Sequence, residues 1–279
     1  MKVNLGGLVP LSTVDWIGLA ATVVFLRGCP LRCPHCQNRG LQQGESLVEL
    51  SYLRGEIEKS MGNERSRDQI TLQEAVERTR AKPFVSALVL SGGEPLLQPQ
   101  AAGALLRLAK GLRLKTGLET SGYYPDQLRE LLDANLVDRV FLDLKADFQE
   151  TCYQRATGMK DAATRVRESL RLCMHSGVAM DARTTIFPEM PDAAEVVEIA
   201  KTLAGLKAEF PEHGLESLVL QQGRPEANEF EPVTVESLNI LAERIKDLVE
   251  VQIRIAPKSK MDSADSSSGP LQTGEEMEA

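Results

Sequence analysis

Between Arg27 and Asn38 the chain reads RGCPLRCPHCQN, which sets Cys29, Cys33 and Cys36 at a C-x3-C-x2-C spacing. Thiolates are soft ligands, so the cluster selects zinc or an iron–sulfur centre. Gly28 and Pro30 suit a loop whose backbone curls tightly. A closed structural zinc site needs a fourth ligand. His35 is the local candidate, but it is adjacent to Cys36 and one residue removed from Cys33, poor spacing for three converging side chains. Clustered thiols among polar neighbours are poorly explained as unliganded. A third reading is a 4Fe-4S cluster with one iron left open for a small molecule. Spacing by itself leaves zinc and the open cluster standing.

Such a loop has to be held by something, and the surrounding pattern says what. Short β-branched or apolar runs recur at Thr22–Leu26, Ala87–Leu90, Leu114–Glu119, Val140–Asp143, Met180–Phe187, Ser217–Gln221 and Val249–Ile255, and read as strands. Helical periodicity fills the intervals: Leu72–Ala81 behind a Thr71–Glu74 capping box, then 100–112, 127–134 behind Pro125, 162–175, 193–207 and 235–248. Gly177 suits a C-cap. Six strand–helix units and a terminal strand predict an α/β fold with an open parallel sheet and outer helices. Six units are too few for a complete eight-unit barrel, and the first lacks a dinucleotide-binding glycine fingerprint. A partial (β/α)6 barrel is expected over residues 1–258, followed by a disordered polar, acidic tail over 259–279; Met61–Gln69 reads as a surface loop. The cysteines follow the first of these strands, at the carboxyl end where sites in βα folds collect.

Composition excludes several classes. The formal charge is −8, and five acidic residues without a base lie between Met261 and Ala279. Aromatics are 4% and no basic run interleaves with them, so no nucleic-acid partner is expected. No apolar run approaches the roughly 20 residues of a membrane span, and MKVNLGGLVPLSTVDW lacks a signal-peptide layout. A cytoplasmic protein with reduced thiols is expected, with no membrane partner. Five cysteines, three of them crowded together, do not suit a disulfide framework. Cys152 and Cys173 read as small buried hydrophobes.

C-x3-C-x2-C behind the first strand resembles the cluster motif of the radical S-adenosylmethionine (SAM) enzymes. In that family three cysteines hold a 4Fe-4S cluster, and SAM chelates the fourth iron. The resemblance thus makes the missing ligand the cofactor itself, and makes His35 a neighbour of its adenine. Ser91-Gly-Gly-Glu-Pro95 resembles the family's GGEP element, which implies that the backbone at Gly92 and Gly93, with Glu94, receives the SAM ammonium. Leu118-Glu-Thr-Ser-Gly122, Phe141-Leu-Asp-Leu-Lys145 and Ala182–Pro188 resemble strand ends of glycyl radical enzyme activating proteins. They imply that Glu119, Thr120 and Asp143 surround the SAM carboxylate, sometimes through a monovalent cation. Arg183 would also contact SAM, and Lys145 would face the substrate.

The amino-terminal stretch NLGGLVPLSTVDWIG, with TVVFLRGCPLRCPHCQN, resembles the activating proteins of anaerobic (class III) ribonucleotide reductase. The likeness runs from about residue 3 to about residue 225 and places Asp15 near the substrate loop. Ile17 stands where the family has proline, and Glu119 where related activases have a shorter acidic residue. The implied reaction is reductive SAM cleavage followed by hydrogen abstraction from one glycine of a partner enzyme. A low-potential donor such as ferredoxin or flavodoxin would supply the electron. Glycine suits such a target, because a backbone without side chains threads into an open barrel mouth. Two alternatives remain: activation of another glycyl radical enzyme, or radical chemistry on a small molecule of the deazapurine type. A non-enzymatic zinc protein is the third.

Overall fold

Parallel strands buried on both faces are built from continuous apolar runs, and ATVVFL, ALVLSG and RVFLD are such runs. In a computed structural model, which describes residues 1–62, 84–224 and 231–256, they lie at the centre of one sheet. Its strands are β1 (Lys2–Ser12), β2 (Ala21–Leu26), β3 (Leu47–Glu49), β4 (Ala87–Gly92), β5 (Lys115–Thr120), β6 (Arg139–Asp143), β7 (Ala179–Ile186), β8 (Leu215–Gln222) and β9 (Val251–Arg254). The order is β3-β1-β2-β4-β5-β6-β7-β8-β9. From β2 to β9 all neighbours are parallel, and β1 adds an antiparallel hairpin at one side. The open, mostly parallel α/β sheet expected from the sequence is the observed architecture.

The helices are α1 (Leu50–Ser60), α2 (Pro99–Gly111), α3 (Pro125–Asp133), α4 (Glu150–Thr157), α5 (Ala162–Ser176), α6 (Ala193–Glu209) and α7 (Val235–Ile245). Pro125 opens α3, and Gly177 closes α5 in the left-handed region at φ 67°. The expected helix 72–81, its capping box, most of the 61–69 loop and the acidic tail lie outside the described residues. Among the described residues no helix is long and apolar enough to cross a membrane.

The larger core lies between sheet and helices and contains Leu88, Leu90, Leu105, Leu118, Leu142 and Leu170. A smaller cluster covers the sheet's other face: Trp16, Val23, Val89 and Phe141. Gly117 makes room for it, since a Cβ there would stand 3.1 Å from Trp16, Phe141 and Val89 alike. Trp16 meets Phe141 edge-on at 5.7 Å. Because the indole is buried in the sheet's concave floor, the turn that carries it is fixed and its neighbour Asp15 is held beside the strand ends. Ile17, which replaces the family's proline, points outward and is 64% exposed.

Candidate active site

The cysteine loop leaves β2 without regular structure, so its backbone polar groups need other partners. Arginines inside and beside the motif supply them. Arg32 Nη1 donates to the Cys29 and Leu31 carbonyls at 2.7 and 2.8 Å, and Arg39 Nη2 donates to Pro34 O at 2.5 Å. Arg27 Nη1 reaches Gly40 O and Gln43 O at 2.8 and 3.2 Å. At the far end the Arg32 amide donates to Thr157 O at 2.7 Å, which ties the loop to the last turn of α4. Cys29, Cys33 and Cys36 are all partly buried. Burial pushes the free Cys29 thiol up to about 12 and raises Cys33 as well.

The glycine pair at the end of β4 is locked against this loop. Gly93 N donates to Leu26 O and Glu94 N to Gly28 O, both at 2.9 Å. A Cβ on Gly93 would lie 2.3 Å from Gly28 O, and one on Gly92 2.1 Å from Leu26 O. Gly92 also sits at φ 128°, where side chains are strained. Gly92 O accepts from Asn38 Nδ2 at 3.0 Å.

Glu94, expected to receive a ligand ammonium, has protein partners of its own. Its side chain is fully buried and is not on the cavity wall. Oε1 accepts from Leu96 N at 3.0 Å and Thr120 Oγ1 at 2.8 Å. Oε2 accepts from Ser121 N at 2.8 Å and Ser121 Oγ at 2.5 Å. Four donors fill the four acceptor sites of a carboxylate. Glu94 therefore clamps the turn after β4 to the end of β5.

The other expected residues line one cavity of about 740 Å³: Asp15, Cys29, Cys33, His35, Cys36, Gly92, Gly93, Glu119, Thr120, Asp143, Lys145 and Arg183. They come from successive strand ends, which is why residues far apart in sequence meet. Arg183 Nη1 donates to Glu119 Oε1 at 2.5 Å and Nη2 to Asp15 O at 3.0 Å, while its guanidinium lies 3.9 Å from the Phe141 ring centroid. Burial lifts the Glu119 carboxyl above its ordinary range, and Arg183 pulls against it. Lys145 Nζ donates to Asp143 Oδ2 at 2.9 Å. Burial disfavours that ammonium, but the Asp143 carboxylate more than compensates and holds its pKa above normal. His35 stacks on Phe187 with ring centroids 4.5 Å apart.

Sequence reasoning missed the supports. Ser121, Asn38 and the arginines of the cysteine loop were legible only as polar residues near motifs. Gln98 bridges Asn4 N, Asn4 O and Arg27 O, each at 2.9 Å, and no local signal marks it. Gln221, Arg224 and Arg254, from the ends of β8 and β9, complete the far wall.

The donor set bears on the metal readings. Among the described residues, one group brings three possible ligand atoms within 4.8 Å of one another, and it is not the loop cysteines. Tetrahedral zinc with Zn–S bonds of about 2.3 Å would hold its sulfurs roughly 3.8 Å apart. Three thiolates from one loop are soft ligands of the kind that hold an iron–sulfur cluster. The cavity is also of the size that takes a cofactor, roughly 300–1,000 Å³. Cys29, Cys33 and Cys36 fit as the residues that would hold a 4Fe-4S cluster.

Residues 23–203 match the model of the radical SAM superfamily. The chain belongs to that superfamily. Its cofactors are accordingly a 4Fe-4S cluster and SAM. A Methanocaldococcus jannaschii protein named provisionally as a glycyl-radical enzyme activating enzyme is 31% identical over 73% of this chain and 76% of its own length. That similarity puts this radical SAM protein among the activating enzymes. The pyruvate formate-lyase-activating enzyme of Clostridium pasteurianum is 28% identical over 66% of this chain and 69% of its own. Among solved structures, Streptococcus suis SuiB bound to S-adenosylmethionine shares the fold: the TM-score is 0.60 at 11% identity, covering 87% of this chain and 51% of that one. The chain thus spans about half the length of that structure.

Proposed function

We propose that this protein activates a glycyl radical enzyme and that the partner is anaerobic class III ribonucleotide reductase. The observation carrying this reading is that the amino-terminal segment resembling those activases forms one side of the cavity. Trp16 buries itself in the floor, Asp15 stands on the wall and Cys29–Cys36 follow directly after β2. Bound in this site, cluster and SAM together supply reductive carbon–sulfur cleavage and, from it, hydrogen-atom abstraction.

The chain's own residues bind, orient and exclude. The backbone at Gly92 and Gly93 is exposed to the cavity without side chains, and is the place for a ligand ammonium. Arg183, held by Glu119 and by the Asp15 carbonyl, sets a fixed positive charge for a carboxylate. Thr120 lies beside it, with its hydroxyl directed to Glu94. Lys145 is clamped by Asp143 and faces the space left for substrate. The Lys145 ammonium stands 2.9 Å from Asp143 Oδ2, the carboxylate that a monovalent cation beside the SAM carboxylate would share. Phe25, Leu31, Ala156, Phe187, Met190 and Ile255 make the wall's apolar part, which limits water and stray hydrogen donors near reacting atoms. A low-potential ferredoxin or flavodoxin serves as electron donor.

Anaerobic reconstitution with iron and sulfide, then addition of SAM, a reductant and a class III reductase, should give a glycyl radical doublet by EPR. SAM cleavage without a doublet on that reductase would reject the partner. The relatives named for pyruvate formate-lyase and for isethionate sulfite-lyase favour a second reading, another glycyl radical enzyme, which the same assay distinguishes by exchanging the acceptor protein.

A further inference from the structure

Away from the cavity, three elements converge on a second set of donors. Asp147 lies in the loop after β6, Cys152 on α4 and Glu195 in the first turn of α6. Each offers a ligand atom, and the three atoms lie within 4.8 Å of one another. Both carboxylates are buried, each residue only 5% exposed.

Their charge is not balanced by the protein. Glu195 Oε2 accepts from Arg155 Nη2 at 2.8 Å and from Asp192 N at 2.9 Å. Glu195 Oε1 is buried with no hydrogen-bond partner. Asp147 accepts from Gln149, through its amide N and Nε2, each at 3.2 Å, lies against the Cys152 thiol, and has no ion pair among the described residues. Two buried carboxylates therefore share one arginine. A buried anion without a counter-charge is costly, and an orphaned buried oxygen adds to that cost. The orphaned oxygen is independent of the clustering itself and belongs to a side chain that is nearly fully enclosed.

We propose that Asp147, Cys152 and Glu195 bind a divalent cation of the zinc class. One thiolate and two carboxylates are a borderline donor set. Calcium and magnesium take oxygen ligands alone, whereas zinc accepts sulfur and oxygen together. Three protein ligands leave a fourth position for water. The ion supplies the missing positive charge and fastens α4 to the start of α6. Thr157, at the other end of α4, accepts the Arg32 amide, so the ion braces the helix on which the cysteine loop leans. This site is separate from Cys29, Cys33 and Cys36 and does not depend on which enzyme is activated.

The test uses the cluster-loaded enzyme, incubated anaerobically with zinc chloride and desalted. Metal analysis should find one zinc per chain beyond the iron. Its K-edge absorption should show a single sulfur at about 2.3 Å and oxygens at about 2.0–2.2 Å. Cys152→Ala and Glu195→Gln should each reduce zinc retention at least about tenfold. Zinc at a hundredfold excess over its Kd should raise the melting temperature of the parent enzyme by roughly 5 °C. No retained zinc, zinc with two or more sulfur neighbours, or equal zinc in parent and variants would overturn the proposal. If Cys152→Ala does not fold, Glu195→Gln carries the test, because glutamine serves at the third position of a capping box.

Discussion

Replacing Glu94 separates a clamp from a ligand. Glu94→Ala removes one acceptor and strands four donors, Leu96 N, Thr120 Oγ1, Ser121 N and Ser121 Oγ, in a buried place. Hydroxyls can rotate towards other partners, but the two amides cannot. Breaking a buried, charge-assisted network costs about 3–5 kcal/mol, a large share of the 5–15 kcal/mol typical of a folded domain. At about 2–4 °C per kcal/mol the melting temperature should fall by roughly 6–20 °C. Glu94→Gln keeps Oε1 for Leu96 and Thr120 but turns an NH2 towards Ser121 N–H, so its loss should be smaller, about 1–3 kcal/mol. Circular dichroism melts of the cluster-free protein near neutral pH would give both values, and equilibrium dialysis of the loaded enzyme would give SAM affinity. If Glu94→Ala melted with the parent yet lost SAM binding, the side chain would be a ligand and the clamp would be refuted.

Gly93→Ala places a methyl 2.3 Å from Gly28 O and should part the β4 turn from the cysteine loop; SAM binding to reconstituted enzyme should weaken about tenfold, ~1.4 kcal/mol, with the far-ultraviolet spectrum unchanged. Arg183→Met strands a largely buried Glu119 and should cost about 3–5 kcal/mol. Because the folded Glu119 carboxyl already titrates above its ordinary 4.5, this group's contribution to stability is greatest below that value and declines as pH rises through the folded pKa. Losing Arg183 moves that pKa higher, so urea melts should show a larger deficit near pH 8 than near pH 5. Lys145→Met should leave iron and sulfide content intact while slowing glycyl radical formation at least about tenfold. Cys33→Ala should abolish cluster assembly and SAM cleavage together, and a variant that still cleaved SAM would rule out Cys33 as a ligand.

What the sequence revealed depended on how local the signal was. The parallel strands were legible because ALVLSG or RVFLD can be buried on both faces without help from elsewhere. β1 was missed because Gly6, Gly7 and Pro10 dilute the strand pattern of KVNLGGLVPLS, and its pairing with β2 supplies what propensity does not. α1 and α4 were missed for similar reasons: Gly55 interrupts one, and ETCYQRAT is short and polar. Among site residues, the positions on the wall followed from motifs at strand ends. The direction a side chain takes did not. Glu94 lies in the same GGEP element as Gly92 and Gly93, yet its oxygens turn to donors on Leu96, Thr120 and Ser121. Glu195 likewise reads as an ordinary helix-capping acid; its second role emerges only when Asp147 and Cys152 are brought beside it.

The most direct test of the central claim, three cysteines holding a cluster with one iron open to SAM, is the EPR spectrum of the reduced, reconstituted enzyme with and without SAM labelled at its amino nitrogen and carboxylate oxygen. Binding at the open iron predicts a changed cluster signal with hyperfine coupling to both labels. A cluster signal that SAM leaves unaltered, or a colourless preparation holding zinc at Cys29, Cys33 and Cys36, would contradict it.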